Sequence, residues 1–302
     1  MTFYSQKNYK ERAERIPVSA PTPMPVPLKP MLKWAGGKRW LLPLLAEHWP
    51  TFSGRSWVEP FVGGMAIALG LQPAYAVLND INVHLINFYS QVKAGLKIKT
   101  HFKNDADYFY QKRAEFNALI QGKRYQTPKA AALFYYLIKT GFNGLCRFNR
   151  DGAFNVPFGQ HHKINYQRDF LAYQSVLSPW QFFSQDFESL SLRGDEVIYA
   201  DPPYDVEFTN YYSNRFGWED QCRLAEWLAA HKGPVITSNQ ATQRILTLYK
   251  NLGFTVSLLP APRRIACTGD RSPAAEMLAF NHCAKKLTWI PRSSRGTTSL
   301  EK

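Results

Sequence analysis

Short apolar runs punctuate the chain at Trp57–Phe61 (WVEPF), Ala76–Asp80 (AVLND), Glu196–Asp201 (EVIYAD), Pro234–Asn239 (PVITSN) and Glu276–Phe280 (EMLAF). The middle three do not alternate and end in polar residues, a pattern that predicts strands covered on both faces. Helical periodicity falls between them, over Trp40–His48, Trp218–His231 and Ala241–Leu252. Strands alternating with helices predict an α/β fold around a mostly parallel sheet.

The interval from Val83 to Arg168 breaks this rhythm. Helical patterns at Asp107–Ile120 and Pro128–Lys139 give way to the Gly- and Asn-rich stretch GFNGLCRFNRDGAFNVPFG. The run Phe134–Tyr136 lies within a helical pattern and is expected to be core. From Lys123 to Arg168 eight Lys and Arg stand against one acid, Asp151, so the interval reads as a substrate-recognition insertion. The expected organisation is a discontinuous main domain, residues 31–82 and 169–290, interrupted by a module at residues 83–168. Residues 1–30, with Pro at alternate positions in PTPMPVPLKP, read as an unstructured leader, and residues 291–302 as a second tail.

Composition narrows the partners. Thirty-seven Lys and Arg against twenty-three acids leave a formal charge of +14, which favours a polyanion, nucleic acid before an acidic membrane surface. Cys146, Cys222, Cys267 and Cys283 are far apart and form no C-x-x-C pair, so neither a zinc ribbon nor a disulfide scaffold is expected. His161 and His162 have no carboxylate or thiol at ligand spacing, and no metal site is expected. The N-terminus lacks the apolar segment of a secretory signal, and no stretch is long enough to span a bilayer. A soluble, cytoplasmic protein without membrane contact is the expectation, and no obligate protein partner is evident.

The sharpest chemical signal is Asp201-Pro202-Pro203-Tyr204 at the end of an apolar run. An exocyclic aryl amine is a poor nucleophile because its lone pair is delocalised into the ring. A carboxylate from Asp201 and a carbonyl from Pro202, each accepting one amine N–H, would favour a tetrahedral nitrogen and free that lone pair. Pro202 and Pro203 stiffen the loop so that both acceptors are aimed in advance. Tyr204 offers a face on which an extruded base can stack. The same four residues also suit an ordinary strand-ending turn.

Companion motifs shift that balance. In VEPFVGG, Gly63 and Gly64 let the backbone approach a ligand closely, and Asp80 of LND ends a second strand where it can bind ribose hydroxyls. Neither the G-x-G-x-x-G of a dinucleotide site nor a Walker loop is present, whereas a phosphate-free cofactor such as S-adenosylmethionine needs no such cradle. KWAGGK at Lys33–Lys38 reads either as a plain turn or as a lip over a cofactor.

MLKWAGGK, VEPFVGG, FNGLCRFNRDGAFNVPFG and YADPPY, in that order, resemble the Dam-type DNA adenine-N6 methyltransferases, over about Met31 to Phe280. The resemblance implies a Rossmann-like methyltransferase sheet of seven mostly parallel strands with an inserted, mainly helical DNA-recognition domain containing a β-hairpin. It implies transfer of a methyl group from S-adenosylmethionine to N6 of an adenine flipped out of duplex DNA, with GATC as the leading site and S-adenosylhomocysteine as product. Asp201, Pro202, Pro203 and Tyr204 would be catalytic. Trp34, Lys38, Phe61, Gly63, Asp80, Asp186 and Asp201 would bind the cofactor. Lys33, Phe142, Asn143, Leu145, Arg147 and Pro157 would contact DNA bases. Arg147 suits a guanine edge and Phe142 an intercalating wedge, although close relatives tend to carry Tyr at the latter position. Arg263 and Arg264 would touch phosphates, or else belong to a solvated basic loop. Three other readings stay open: a cytosine-N4 enzyme, which usually has Ser in place of Asp201, an RNA adenine-N6 methyltransferase, and a catalytically silent DNA-binding regulator.

Overall fold

A computed structural model describes residues 26–52, 54–204, 216–261 and 274–284. Arg263 and Arg264, the segment after Tyr204 and most of both expected tails lie outside the described residues. Along the chain run α1 (Leu42–His48), β1 (Trp57–Glu59), α2 (Ala66–Leu71), β2 (Ala76–Asn79), α3 (Val83–Lys93), α4 (Ala106–Gln121) and α5 (Pro128–Thr140). There follow α6 (Leu171–Leu177), β3 (Gln181–Phe183), β4 (Val197–Ala200), α7 (Trp218–Ala230), β5 (Val235–Gln240), α8 (Gln243–Asn251), β6 (Thr255–Ala261) and β7 (Ala274–Phe280).

The seven strands of the described residues form one sheet in the order β3-β2-β1-β4-β5-β7-β6. The pairs from β3 through β5 are parallel, and β7 runs antiparallel to both of its neighbours, β5 and β6. Alternate residues serve opposite layers. Trp57, Leu78, Tyr199, Ile236 and Leu278 enter one core, while Val58, Val77, Ile198, Val235 and Met277 enter the other. Both faces are thus buried, which explains runs that are apolar without alternation. Helices α1 to α6 cover the first face, and α7 and α8 the second.

All five expected strands and all five expected helices are present, with ends shifted by up to two residues. Strands β3 and β6 were not read from the sequence; both stand at sheet edges. Of the leader expected to reach Pro30, residues 26–30 are described and are tied to the fold. Leu28 N–H donates to the Leu69 carbonyl at 3.2 Å, and the Tyr173 hydroxyl donates to the Lys29 carbonyl at 3.0 Å. These bonds hold the start of the described chain against α2 and α6.

Between β2 and β3 the chain makes one long crossover. Asn82 caps α3 by accepting from His84 and Leu85 N–H, Asp105 caps α4, and Thr127 caps α5 just before Pro128. Phe134, Tyr135 and Tyr136 are fully buried, as expected. Phe88 of α3 stacks on Tyr135 of α5 at 5.1 Å, and Tyr89 meets Phe182 of β3, so the crossover's apolar interior is continuous with the core on the sheet. The expected hairpin consists of a turn at Asn149–Ala153 with isolated antiparallel bridges Phe148–Phe154 and Gly141–Phe158, shorter than paired strands.

Candidate active site

Strands β1 and β4 are adjacent, yet the chain leaves them on opposite sides of the sheet. The connection after β1 passes through α2 over one face, and that after β4 passes through α7 over the other. Such a reversal opens a crevice at the C-terminal strand ends. Asp80 and Asp201 directly follow β2 and β4 there.

Asp201 is held from two sides through one oxygen. Lys38 Nζ donates to Oδ1 at 2.7 Å and Ser238 Oγ donates to the same atom at 3.0 Å. Its side chain keeps 21% of its surface exposed, so the oriented carboxylate still faces the crevice. Lys38 also lies 3.4 Å from Glu276 Oε1, donates to the Gly36 carbonyl at 3.1 Å and sits over the Tyr204 ring, 4.8 Å from its centroid. The Tyr204 hydroxyl donates to Glu276 Oε1. Burial pushes the Asp201 and Glu276 carboxyls up, and the Lys38 ammonium opposes both shifts. Burial raises the Tyr204 phenol too, reinforced by the two carboxylates. Behind them, Pro202 is buried, and the Pro203 carbonyl accepts from Gln221 of α7 at 2.8 Å.

The loop after β1 is fixed through both backbone polar groups of one residue, Gly63. Gly63 N–H donates to Asp80 Oδ2 at 3.1 Å, and the Tyr89 hydroxyl donates to the Gly63 carbonyl at 2.7 Å. Gly63 has φ +44°, and a Cβ there would stand 3.1 Å from Trp34 Nε1. At Gly64 a Cβ would stand 2.9 Å from Trp34 Cβ, so both glycines are needed where the indole lies across the loop. Asp80 also accepts from Asn82 N–H at 2.9 Å, and burial lifts its carboxyl to about 6. Trp34, Gly63 and Asp80 are therefore brought together. Phe61 packs on Phe187 and Phe216 at 5.7 and 5.3 Å. Asp186, beside Phe187, accepts from Glu188 N–H and pairs with Arg223 at 3.2 Å.

The expected DNA-facing residues also gather. Gly144, at φ +65°, would bring a Cβ within 2.9 Å of Lys33 Cγ, so Lys33 lies against the Phe142–Gly144 turn despite the distance in sequence. Phe142 is 48% exposed, unusual for a ring among the described residues, and Asn143 takes a left-handed backbone. Pro157 is exposed and its carbonyl accepts from Phe142 N–H at 2.9 Å; Leu145 is half-buried against the core. Arg147 is not a free fork: its Nε and Nη2 donate to Asn155 Oδ1 and carbonyl at 2.8 and 3.2 Å. His161 faces the Gly141 carbonyl at 3.2 Å.

Glu276, Ser238 and Gln221 join the site without having been singled out from the sequence. For Glu276 and Ser238 the available signal was a charge or hydroxyl inside an otherwise apolar strand run, as in EMLAF and PVITSN; Gln221 of α7 had none.

A doubly covered, mostly parallel sheet with one reversed strand, and carboxylates at its switch point, defines the Rossmann-like methyltransferase class. Residues 34–260 match the family described as D12 class N6 adenine-specific DNA methyltransferase. The retron Ec67 DNA adenine methylase of Escherichia coli is 33% identical over 284 residues, covering 89% of this chain and 96% of that protein. The DNA adenine methylases of E. coli K12 and Salmonella typhi are 34% and 35% identical over 270 residues, each comparison covering 82% of this chain and 94% of the relative. The chain belongs to the D12 class and is an adenine-specific DNA methyltransferase.

Proposed function

We propose that the enzyme methylates adenine N6 at GATC in duplex DNA, after swinging the base out of the helix, with S-adenosylmethionine as donor. The observation that carries this reading is the Asp201 carboxylate, fixed through Oδ1 by Lys38 and Ser238 beside a tethered Tyr204 ring.

The crevice suits the donor chemically. Asp80, Asp201 and Glu276 outnumber the buried Lys38, an environment that favours a sulfonium cation over a phosphate. Trp34, Lys38, Phe61, Gly63, Asp80 and Asp186 would hold the donor, with Asp80 offering its remaining lone pairs to hydroxyls and Phe61 an apolar wall. When bound, S-adenosylmethionine supplies an electrophilic methyl group. The protein's part is positioning and preorganised hydrogen bonding. Asp201 Oδ2 and the Pro202 carbonyl accept the two amine N–H groups, and the Tyr204 face supports the base. The proton leaves late, from a nitrogen made acidic by methylation, so Asp201 need not be a strong base.

Residues 83–168 act in this reading as the recognition module. The exposed Phe142 ring fills the gap left by the adenine, while Lys33, Asn143, Leu145, Arg147 and Pro157 face neighbouring bases. Arg263 and Arg264 would contact phosphates.

The test is methyl transfer from labelled donor to two matched duplexes, one with GATC and one with that site scrambled. Label in N6-methyladenine on the first duplex alone is expected; equal label on both would discard GATC. Asp201→Ala should abolish transfer while the protein still folds, as a cooperative thermal melt would show. Near-normal turnover in that variant would sink the acceptor role of Asp201.

A further inference from the structure

We infer that Glu276 is a positioning residue for methyl transfer, holding the Tyr204 ring by its hydroxyl and dividing Lys38 between itself and Asp201. Its place in the fold is the first argument. Glu276 lies in β7 with paired strands on both sides, opposite Gln240 of β5 and Leu259 of β6. Its side chain is only 6% exposed. A buried carboxylate in such a strand is costly unless it is paired and hydrogen-bonded. The partners observed are Tyr204 and Lys38, two residues of the candidate site.

Geometry supplies the second argument. A tyrosine ring turns about two side-chain bonds, and a hydroxyl tether to a rigid strand removes the swing about the first, leaving only the turn about the ring's own axis. The tether sets where the ring stands, and the Lys38 ammonium 4.8 Å from its centroid lies over its face. Lys38 in turn reaches Asp201 at 2.7 Å and Glu276 at 3.4 Å. Glu276 therefore couples the ring that supports the base to the carboxylate that accepts its amine. Without it, Lys38 would pair with Asp201 alone and neutralise it more fully.

This inference rests on the proposed stacking of an extruded adenine on Tyr204, and the experiment separates the two. Steady-state kinetics are measured for wild type, Glu276→Ala, Glu276→Gln, Tyr204→Phe and the two double variants. Donor binding and thermal melting are recorded for each. Glu276→Ala should lower kcat by about tenfold with little change in the KM for donor, as expected for a lost charge-assisted bond. Glu276→Gln, which keeps an acceptor but no charge, should recover part of that loss. Adding Tyr204→Phe to Glu276→Ala should cost little more, because both remove one tether. Independent, multiplying losses would overturn the inference, as would kcat within about twofold of wild type in a folded Glu276→Ala enzyme. If that variant does not fold, Tyr204→Phe is compared on wild-type and Glu276→Gln backgrounds, where an equal cost also overturns it. In parallel, 2-aminopurine at the target position should brighten when wild-type enzyme binds. No brightening would overturn the extruded-base reading itself, independently of the coupling between Glu276 and Tyr204.

Discussion

Glu59 ends β1 with its carboxyl buried beneath the crevice, where it accepts from Trp57 Nε1 at 2.8 Å. Burial lifts it from 4.5 to about 8, with the nearby Asp201 charge adding slightly. The folded state therefore binds a proton that the unfolded chain releases at lower pH. Between about 4.5 and 8 this group costs increasing stability as pH rises, and the cost levels off above that window. Glu59→Gln removes the titration, so the stability of wild type relative to this variant should fall steadily across the window. Urea melts at pH 5, 6.5 and 8 would show it, and a constant difference would mean that Glu59 is ionised in the folded protein. Such a group is hardly legible in a sequence, since an acid in VEPF reads equally as surface. Asp201 was more legible, because an acid followed by two prolines stands out at the end of an apolar run. Ser238 and Glu276 did not stand out: their roles depend on strands β5 and β7 meeting Lys38 and Tyr204 in space.

The elements legible in the sequence were those with an unmixed environment. Strands β1, β2, β4 and β5 are buried on both faces and print as apolar runs. Strand β3 is half-buried throughout, and β6 carries an exposed Leu258 and Pro260 at the sheet edge, so neither shows a clean period. The close approach of α1 to α2 was equally hidden: Gly70 admits Leu42, whose Cδ atoms would lie 2.4 Å from a Cβ. Within the short hairpin, Arg147 is braced on Asn155, whereas Arg150 is exposed at the turn. In the proposed reading a braced guanidinium is held extended toward a base, and an exposed tip suits phosphate. Arg147→Ala should thus lose about 1–3 kcal/mol of discrimination at one base, while Arg150→Ala weakens all duplexes alike and lowers the salt slope by about 1. Competition binding on single-base variants over a salt series checks both, and a uniform loss for Arg147→Ala would reassign it to phosphate.

At the scale of the whole molecule, alternation of strands and helices foretold the parallel half of the sheet, but not that β7 would slot between β5 and β6. Strand order is a long-range property that no local pattern encodes. Because β6 pairs with β7, a chain ended after residue 273 leaves β6 without that partner and the site without Glu276. Such a truncation should lose the cooperative thermal melt and become sensitive to dilute protease; a sharp melt near the full-length value would show that β7 is dispensable.

The same arrangement sets a clock on synthesis. A ribosome delivers Lys38, Asp201 and Tyr204 well before residue 276, and domains fold as their segments emerge. The nascent chain can build its parallel strands early, yet the phenol and the ammonium acquire their shared carboxylate only when β7 arrives. A growing polypeptide therefore lacks the Glu276 contacts until β7, the last strand of the sheet, has been made.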